Sequence, residues 1–299
     1  MAQSHFLVGA SETRADPAIR RIGTTDLLDA LAKGLEDFSA MPSHALFLCV
    51  MYPIIGMLLA GLTLGFAIVP LLYPLAAGFA LLGPVAALGL YELSRRREAG
   101  VSVSPLNALD VLHSPSIGAI VALAVLPMIL FLIWLATANA IYVANFGYAP
   151  PASIGQFLHD VLFTPAGWNL ILLGNGIGLL FAVVVLTISV VSFPLLLERD
   201  AGAVVALLTS VRAVRANPLT MALWGLLVAA LLFVGSLPLF IGLPVVLPVL
   251  GHATWHLFRK VVEPDPNPHP EYHPRPQGPR YAADFPAVLF PWARERKSG

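Results

Sequence analysis

Four long stretches of the chain lack Asp, Glu, Lys and Arg altogether: 38–91, 111–159, 161–197 and 216–258. Each exceeds the ~20 apolar residues that carry a helix across a hydrocarbon core ~30 Å thick. A charge at mid-bilayer costs roughly 2.5–3.5 kcal/mol on insertion scales, so lipid selects runs of this kind. The first stretch predicts two helices, about His44–Leu64 and Val69–Tyr91. The second predicts one, about Ser116–Tyr142, and then a loop, because Asn145, Gly147, Pro150, Pro151, Ser153 and Gln156 dilute its apolar residues. Trp168–Leu196 is the fourth helix. Leu219–Val234 and Leu239–Trp255 are the fifth and sixth, turning at Gly235-Ser236-Leu237-Pro238. The expected fold class is all-α, a polytopic membrane protein with six transmembrane helices.

A shorter pattern recurs ahead of the helix pairs. Asp26–Ala40 places Leu27, Leu28, Leu31, Leu35 and Phe38 on one face, with Asp29, Lys33, Glu36 and Asp37 elsewhere. Leu106–His113 sets Leu109 and Leu112 against Asp110 and His113, and Val204–Arg215 sets Val204, Leu207, Leu208 and Val211 against Thr209, Arg212 and Arg215. Apolar residues three and four apart define one helical face. Such segments are expected to lie on the membrane surface with that face inward. Each precedes a proline able to open the next helix, at Pro42, Pro115 and Pro218. The chain thus reads as three repeats of amphipathic interfacial helix plus transmembrane hairpin. The unit ends agree too: Pro84 to Arg96 aligns without gaps on Pro248 to Lys260, pairing Tyr91 with Trp255 and Arg95 with Arg259.

Charge then orients the helices. All 17 Lys and Arg residues fall in the N-terminal segment, the 2–3 and 4–5 connections and the C-terminal tail, and none in the three alternating connections. By the positive-inside rule both termini are expected in the cytoplasm. The expected domains are a polar N-terminal segment 1–25, a six-span membrane domain 26–262 and a Pro-rich cytoplasmic tail 263–299. A formal net charge of +0 argues against nucleic acid as a partner, which would need a basic face. The expected partners are membrane lipids and other membrane proteins. Cys49 is the only cysteine and reads as a small packing residue.

Three segments carry a family resemblance: Asp26 to Phe38, Gly89-Leu-Tyr-Glu-Leu-Ser-Arg-Arg-Arg-Glu-Ala-Gly100 and Ser192-Phe-Pro-Leu-Leu-Leu-Glu-Arg-Asp200. Together they resemble an uncharacterised family of bacterial integral membrane proteins, domain of unknown function 2189, over about 20–262. The resemblance implies a bacterial cytoplasmic (inner) membrane, six spans and no established activity. It transfers no catalytic residues.

Chemistry-bearing residues are sparse. His252 and His256 sit four apart on one helix, a spacing that can offer two imidazoles to one ligand, but no carboxylate-supported motif accompanies them. They are expected as surface histidines at a helix end. Glu92 with Arg95, and Glu198 with Arg199, are expected as solvated pairs worth ~0–1 kcal/mol each. Together, Glu92, Arg95, Glu198, Arg199, His252 and His256 form the candidate cytoplasmic interface. No nucleophile elbow, phosphate loop or paired-carboxylate motif stands out, so no catalytic residue, cofactor or metal is expected. The expected function is a non-enzymatic scaffold or accessory subunit; a transporter or permease for a small or lipidic solute is the alternative. The tail's Phe285–Trp292 patch is a second expected contact.

Overall fold

The computed structural model describes residues 17–41, 70–237 and 242–264, without the side chains of Leu72 and Phe79. The expected helix His44–Leu64, the turn at Pro238 and the Pro-rich tail lie outside the described residues. Those described are helical throughout, apart from connections and one isolated antiparallel bridge between Ile19 and Val262.

The amphipathic segments become helices. α1 spans Thr24–Ala40, a 3-10 helix covers Pro105–His113, and further along the chain Ala203–Ala216 forms a third, α9. The second expected span is broken into α2 (Leu72–Leu81), α3 (Gly83–Ala86) and α4 (Leu88–Glu98). Pro84 lacks the N–H that would continue the ladder, and α4 runs on past Tyr91 to carry Arg95, Arg96 and Arg97 in its last turn. α5 (Ile117–Phe146) is the third expected span, four residues longer at its C-terminus than expected.

The expected loop that follows contains a helix, α6 (Ile154–Phe163). A capping signature marks its start: Ser153 Oγ accepts from the Gln156 N–H at 3.1 Å. Ile154, Phe157, Leu158, Val161 and Leu162 then recur at helical spacing. α7 (Pro165–Ser189) leads through a break at Val190 and Val191 into α8 (Ser192–Glu198). Here α9 repairs the ladder. Ser210 Oγ donates to the Thr187 carbonyl at 2.8 Å and accepts from the Val191 N–H at 3.3 Å, so its hydroxyl stands in the interrupted bond. α10 (Pro218–Ser236) and α11 (Leu243–Val261) complete the chain. Among the described residues, three segments are long and apolar enough to cross a membrane: Ile117–Phe146, Pro165–Glu198 and Pro218–Ser236.

Packing is uneven along these helices. α4, α8 and the C-terminal half of α11 meet one another, with α1 laid along α11. Their shared core contains Tyr91, Phe193, Leu195, Leu196, Met221, Trp224, Trp255 and Phe258. Gly34 sets the α1–α11 distance: a Cβ there would meet Ala253 Cβ and N at 2.6 Å. Away from this end the core shrinks to a small cluster of Leu81, Trp134, Ala138 and Val185, with Trp134 donating to the Pro74 carbonyl at 2.8 Å.

The amphipathic helices turn small side chains, rather than their large apolar ones, toward the rest of the protein. α1 buries Leu27, Ala30, Gly34 and Asp37, while Leu28 and Leu35 stay 63% and 52% exposed. α9 buries Ala203, Ala206, Thr209, Ser210 and Ala213 and exposes Val204 and Leu208. Small side chains permit close approach of the helix axes, so the small face wins the interior and the larger residues are displaced outward.

Candidate functional site

The polar residues of the packed end form three linked clusters. Asp37 is the centre of the first. It lies on the buried face of α1 and points at α4 and α11. Its Oδ2 accepts from Ser94 Oγ at 2.6 Å and meets His256 Nε2 at 2.9 Å. Its Oδ1 pairs with Arg97, which also reaches Glu36 at 3.1 Å. Ser94 Oγ also lies 2.7 Å from His252 Nδ1. Because Ser94 gives its one proton to Asp37, His252 Nδ1 supplies the proton of that second bond. Burial works to raise the pKa of Asp37, but hydrogen bonds from His256 and Ser94, and the charge of the histidines, outweigh it. The carboxyl is held below its usual range.

Serine, histidine and aspartate stand together here without the geometry of an activated nucleophile. In such a triad the carboxylate holds the far nitrogen of the imidazole, and the imidazole takes the serine proton. Here the carboxylate binds the serine itself, and Ser94 and His252 are both sealed from solvent. No group of three or more His, Cys, Asp or Glu side chains among the described residues has the arrangement of a metal site.

Glu92 is the centre of the second cluster, and it corrects the expectation of a solvated pair: it is 0% exposed. Arg95 grips it with Nε at 2.8 Å and Nη2 at 2.9 Å, and Arg96 Nε adds a third bond at 2.8 Å. Arg96 Nη2 continues to Asp110 at 2.8 Å, where Asn107 Nδ2 also donates at 2.8 Å. This strap ties α4 to the 3-10 helix. The helix continues about two turns beyond Tyr91, and its arginines fold back over the buried Glu92.

The third cluster joins α4, α8 and α11. Glu98 accepts from Arg259 Nε at 3.0 Å and Trp255 Nε1 at 3.0 Å. Arg259 also pairs with Glu198, to which Arg199 Nε donates at 3.3 Å. At the rim of the same end, Lys260 meets Asp29 at 2.8 Å, and this contact holds the Asp29 carboxyl below its usual range despite some opposing burial.

All six sequence-derived candidates therefore gather at one end of the molecule. Glu92 and Arg95 fall in one cluster, Glu198 and Arg199 in another, and His252 and His256 in the cluster of Asp37. His252 was expected at the surface and is buried instead, because α1 covers that side of α11. Asp37, Ser94, Arg97 and Glu98 were not singled out from sequence. For Asp37 a signal existed: Leu27, Ala30, Gly34 and Asp37 trace one helical stripe, in which the carboxylate is the odd member.

Asn217, between α9 and α10, fastens the N-terminal segment to the same end. Its Oδ1 accepts from the Ile22 N–H at 2.8 Å and its Nδ2 donates to the Arg20 carbonyl at 3.0 Å. Thr220 Oγ1 donates to the Ile22 carbonyl at 3.0 Å.

No curated protein and no solved structure matches this chain. Residues 71–198, from the start of α2 to the end of α8, match the family described as predicted integral membrane protein (DUF2189).

Proposed function

We propose that the chain is a six-span scaffold or accessory subunit of a bacterial cytoplasmic (inner) membrane, with both termini cytoplasmic, whose partners are lipids and other membrane proteins. The observation that carries this reading is the interlocked ion-pair network. Asp37, Glu92, Glu98 and Glu198 each engage arginines or histidines, joining α1, α4, α8, α11 and the 3-10 helix. A carboxylate whose lone pairs are taken by two guanidinium groups is poorly placed to act as a general base or to bind a travelling ion. The same bonds suit a rigid platform.

The topology rests on the alternation of basic and charge-free connections. The threefold repeat gains support from α4, α8 and α11, which all turn an apolar helix end into the shared core and an Arg-bearing turn into the network. A partner would meet this network at its rim, where Glu36 and Glu98 reach solvent and Arg95 and Arg259 are half-buried. Arg199, His256 and Glu198 lie just behind.

Two experiments test the reading. Reporter fusions at Gly155 and Gly299 are expected on opposite sides of the membrane; the same side for both would end the six-span topology. Purified protein in liposomes is expected to show no ion-driven uptake. Robust uptake down an imposed proton or sodium gradient would replace the scaffold with the transporter.

A further inference from the structure

Two short helices of the packed end carry their large apolar residues on the outside. Three residues complete a turn of a 3-10 helix, so Leu106, Leu109 and Leu112 fall in one line. They are 59%, 52% and 64% exposed. The helix is not free to roll. Its other side is pinned by buried Ala108 and Val111, by the Arg96–Asp110 pair, and by Gly89, where a Cβ would meet Ala108 Cβ at 3.0 Å. α9 repeats the arrangement. Val204 and Leu208, one turn apart, face outward, while Ser210 on the far side is locked into the interrupted ladder at Thr187 and Val191.

Both helices lead straight into an apolar helix long enough to span. The 3-10 helix ends at His113 and α5 begins at Ile117, with Val121 and Val125 exposed in its first turns. α9 ends at Ala216 and α10 begins at Pro218, with Leu219 exposed. Each outward row is therefore only a short connection away from exposed apolar residues of a helix long enough to span.

We propose that Leu106, Leu109 and Leu112, together with Val204 and Leu208, enter the interfacial zone of the adjoining leaflet, where acyl chains meet glycerol and headgroups. The occupant of this surface is lipid. A leucine row of this kind in water would be an exposed apolar patch, whereas at the mouth of a span it meets acyl chains at the depth where amphipathic helices settle. Arg215, exposed in the last turn of α9, then stands at headgroup level. The inference does not depend on the scaffold reading, since it holds for any activity of a protein in this membrane.

The test uses the full-length chain with Cys49→Ser and single cysteines placed in turn at Leu109, Leu208, Val125 and Glu36. Each is spin-labelled and reconstituted in phosphatidylethanolamine–phosphatidylglycerol vesicles. Accessibility is read as collision with oxygen, which concentrates in acyl chains, against a water-soluble nickel chelate. Labels at Leu109 and Leu208 are expected to favour oxygen several-fold over the Glu36 reference and to approach Val125. Leu106 and Val204 provide independent repeats should a labelled variant lose the thermal midpoint of its Cys49→Ser parent. Labels that behave like Glu36 would place the rows in water. Labels shielded from both agents would place them under protein. Either result overturns the proposal.

Discussion

The two ends of α10 show how differently this protein treats the same kind of side chain. Near its N-terminus Met221 and Trp224 are sealed in the shared core, while between two and three turns further Phe233 and Val234 lie open. α7 and α8 repeat the contrast. Leu172, Leu179 and Leu180 are exposed, whereas Phe193, Leu195 and Leu196 are fully buried. In water such a distribution would be unstable, but acyl chains solvate leucine as well as a protein core does, so the spans need little protein around them. The packed end holds carboxylates, imidazoles and guanidinium groups, and these need partners at fixed positions. Close packing is concentrated where the charge is.

That contrast can be broken most forcefully inside the core. Phe193→Ala removes a side chain with 0% exposure and is expected to cost about 3–5 kcal/mol, read as a fall in thermal midpoint in detergent. Glu92→Ala is next. It takes the buried carboxylate away from Arg95 and Arg96, and removal of one partner from a buried pair costs about 3–5 kcal/mol; solvent reaches part of both arginines and Arg96 keeps Asp110, so the lower figure is expected. A variant as stable as the wild type would show that the strap of α4 contributes nothing.

Ser210→Ala takes the hydroxyl out of the break between α7 and α8. The Thr187 carbonyl and the Val191 N–H then lack a partner, an expected loss of about 1–2 kcal/mol. Hydrogen exchange of the Val191 amide should rise with it. An unchanged exchange rate would mean that the ladder is repaired in another way.

Asp37 sharpens the comparison through pH. Its pKa in the folded protein lies below the unfolded value of about 3.9. Its contribution is therefore fully present above that pH and is lost as pH falls through the lower folded value. Wild type should lose thermal stability along this limb, and Asp37→Asn should flatten the limb while lowering the midpoint at neutral pH. Identical acid limbs in the two proteins would remove Asp37 from the role of hub. The smallest effect is expected at the other end: Leu180→Ala, on the exposed face of α7, should stay within about 0.5 kcal/mol. A loss near that of Phe193→Ala would mean that this face is covered by protein.

Hydropathy and helical spacing determined most of what is local. The spans at α5 and α10, the helical character of the three amphipathic segments and the gathering of basic residues at alternate connections follow from side chains within a few turns of each other. Even α6, which falls where composition predicts a loop, is written locally in Ser153-x-x-Gln156. Only the tertiary structure decided which side of each amphipathic helix faces in. Apolar periodicity marks the face of Leu28, Leu35 and Leu208, and close approach to another helix selects Ala30, Gly34 and Ala206 for the side that meets protein. It alone decided, too, that Glu92 and His252 are buried and that Asp37 joins them. The partners of Asp37 arrive from 57 residues away in Ser94 and 219 away in His256, and separations of that size leave no trace in any local window. A carboxylate on an amphipathic helix looks like a solvated charge until a second and a third helix bring the donors that let it be buried.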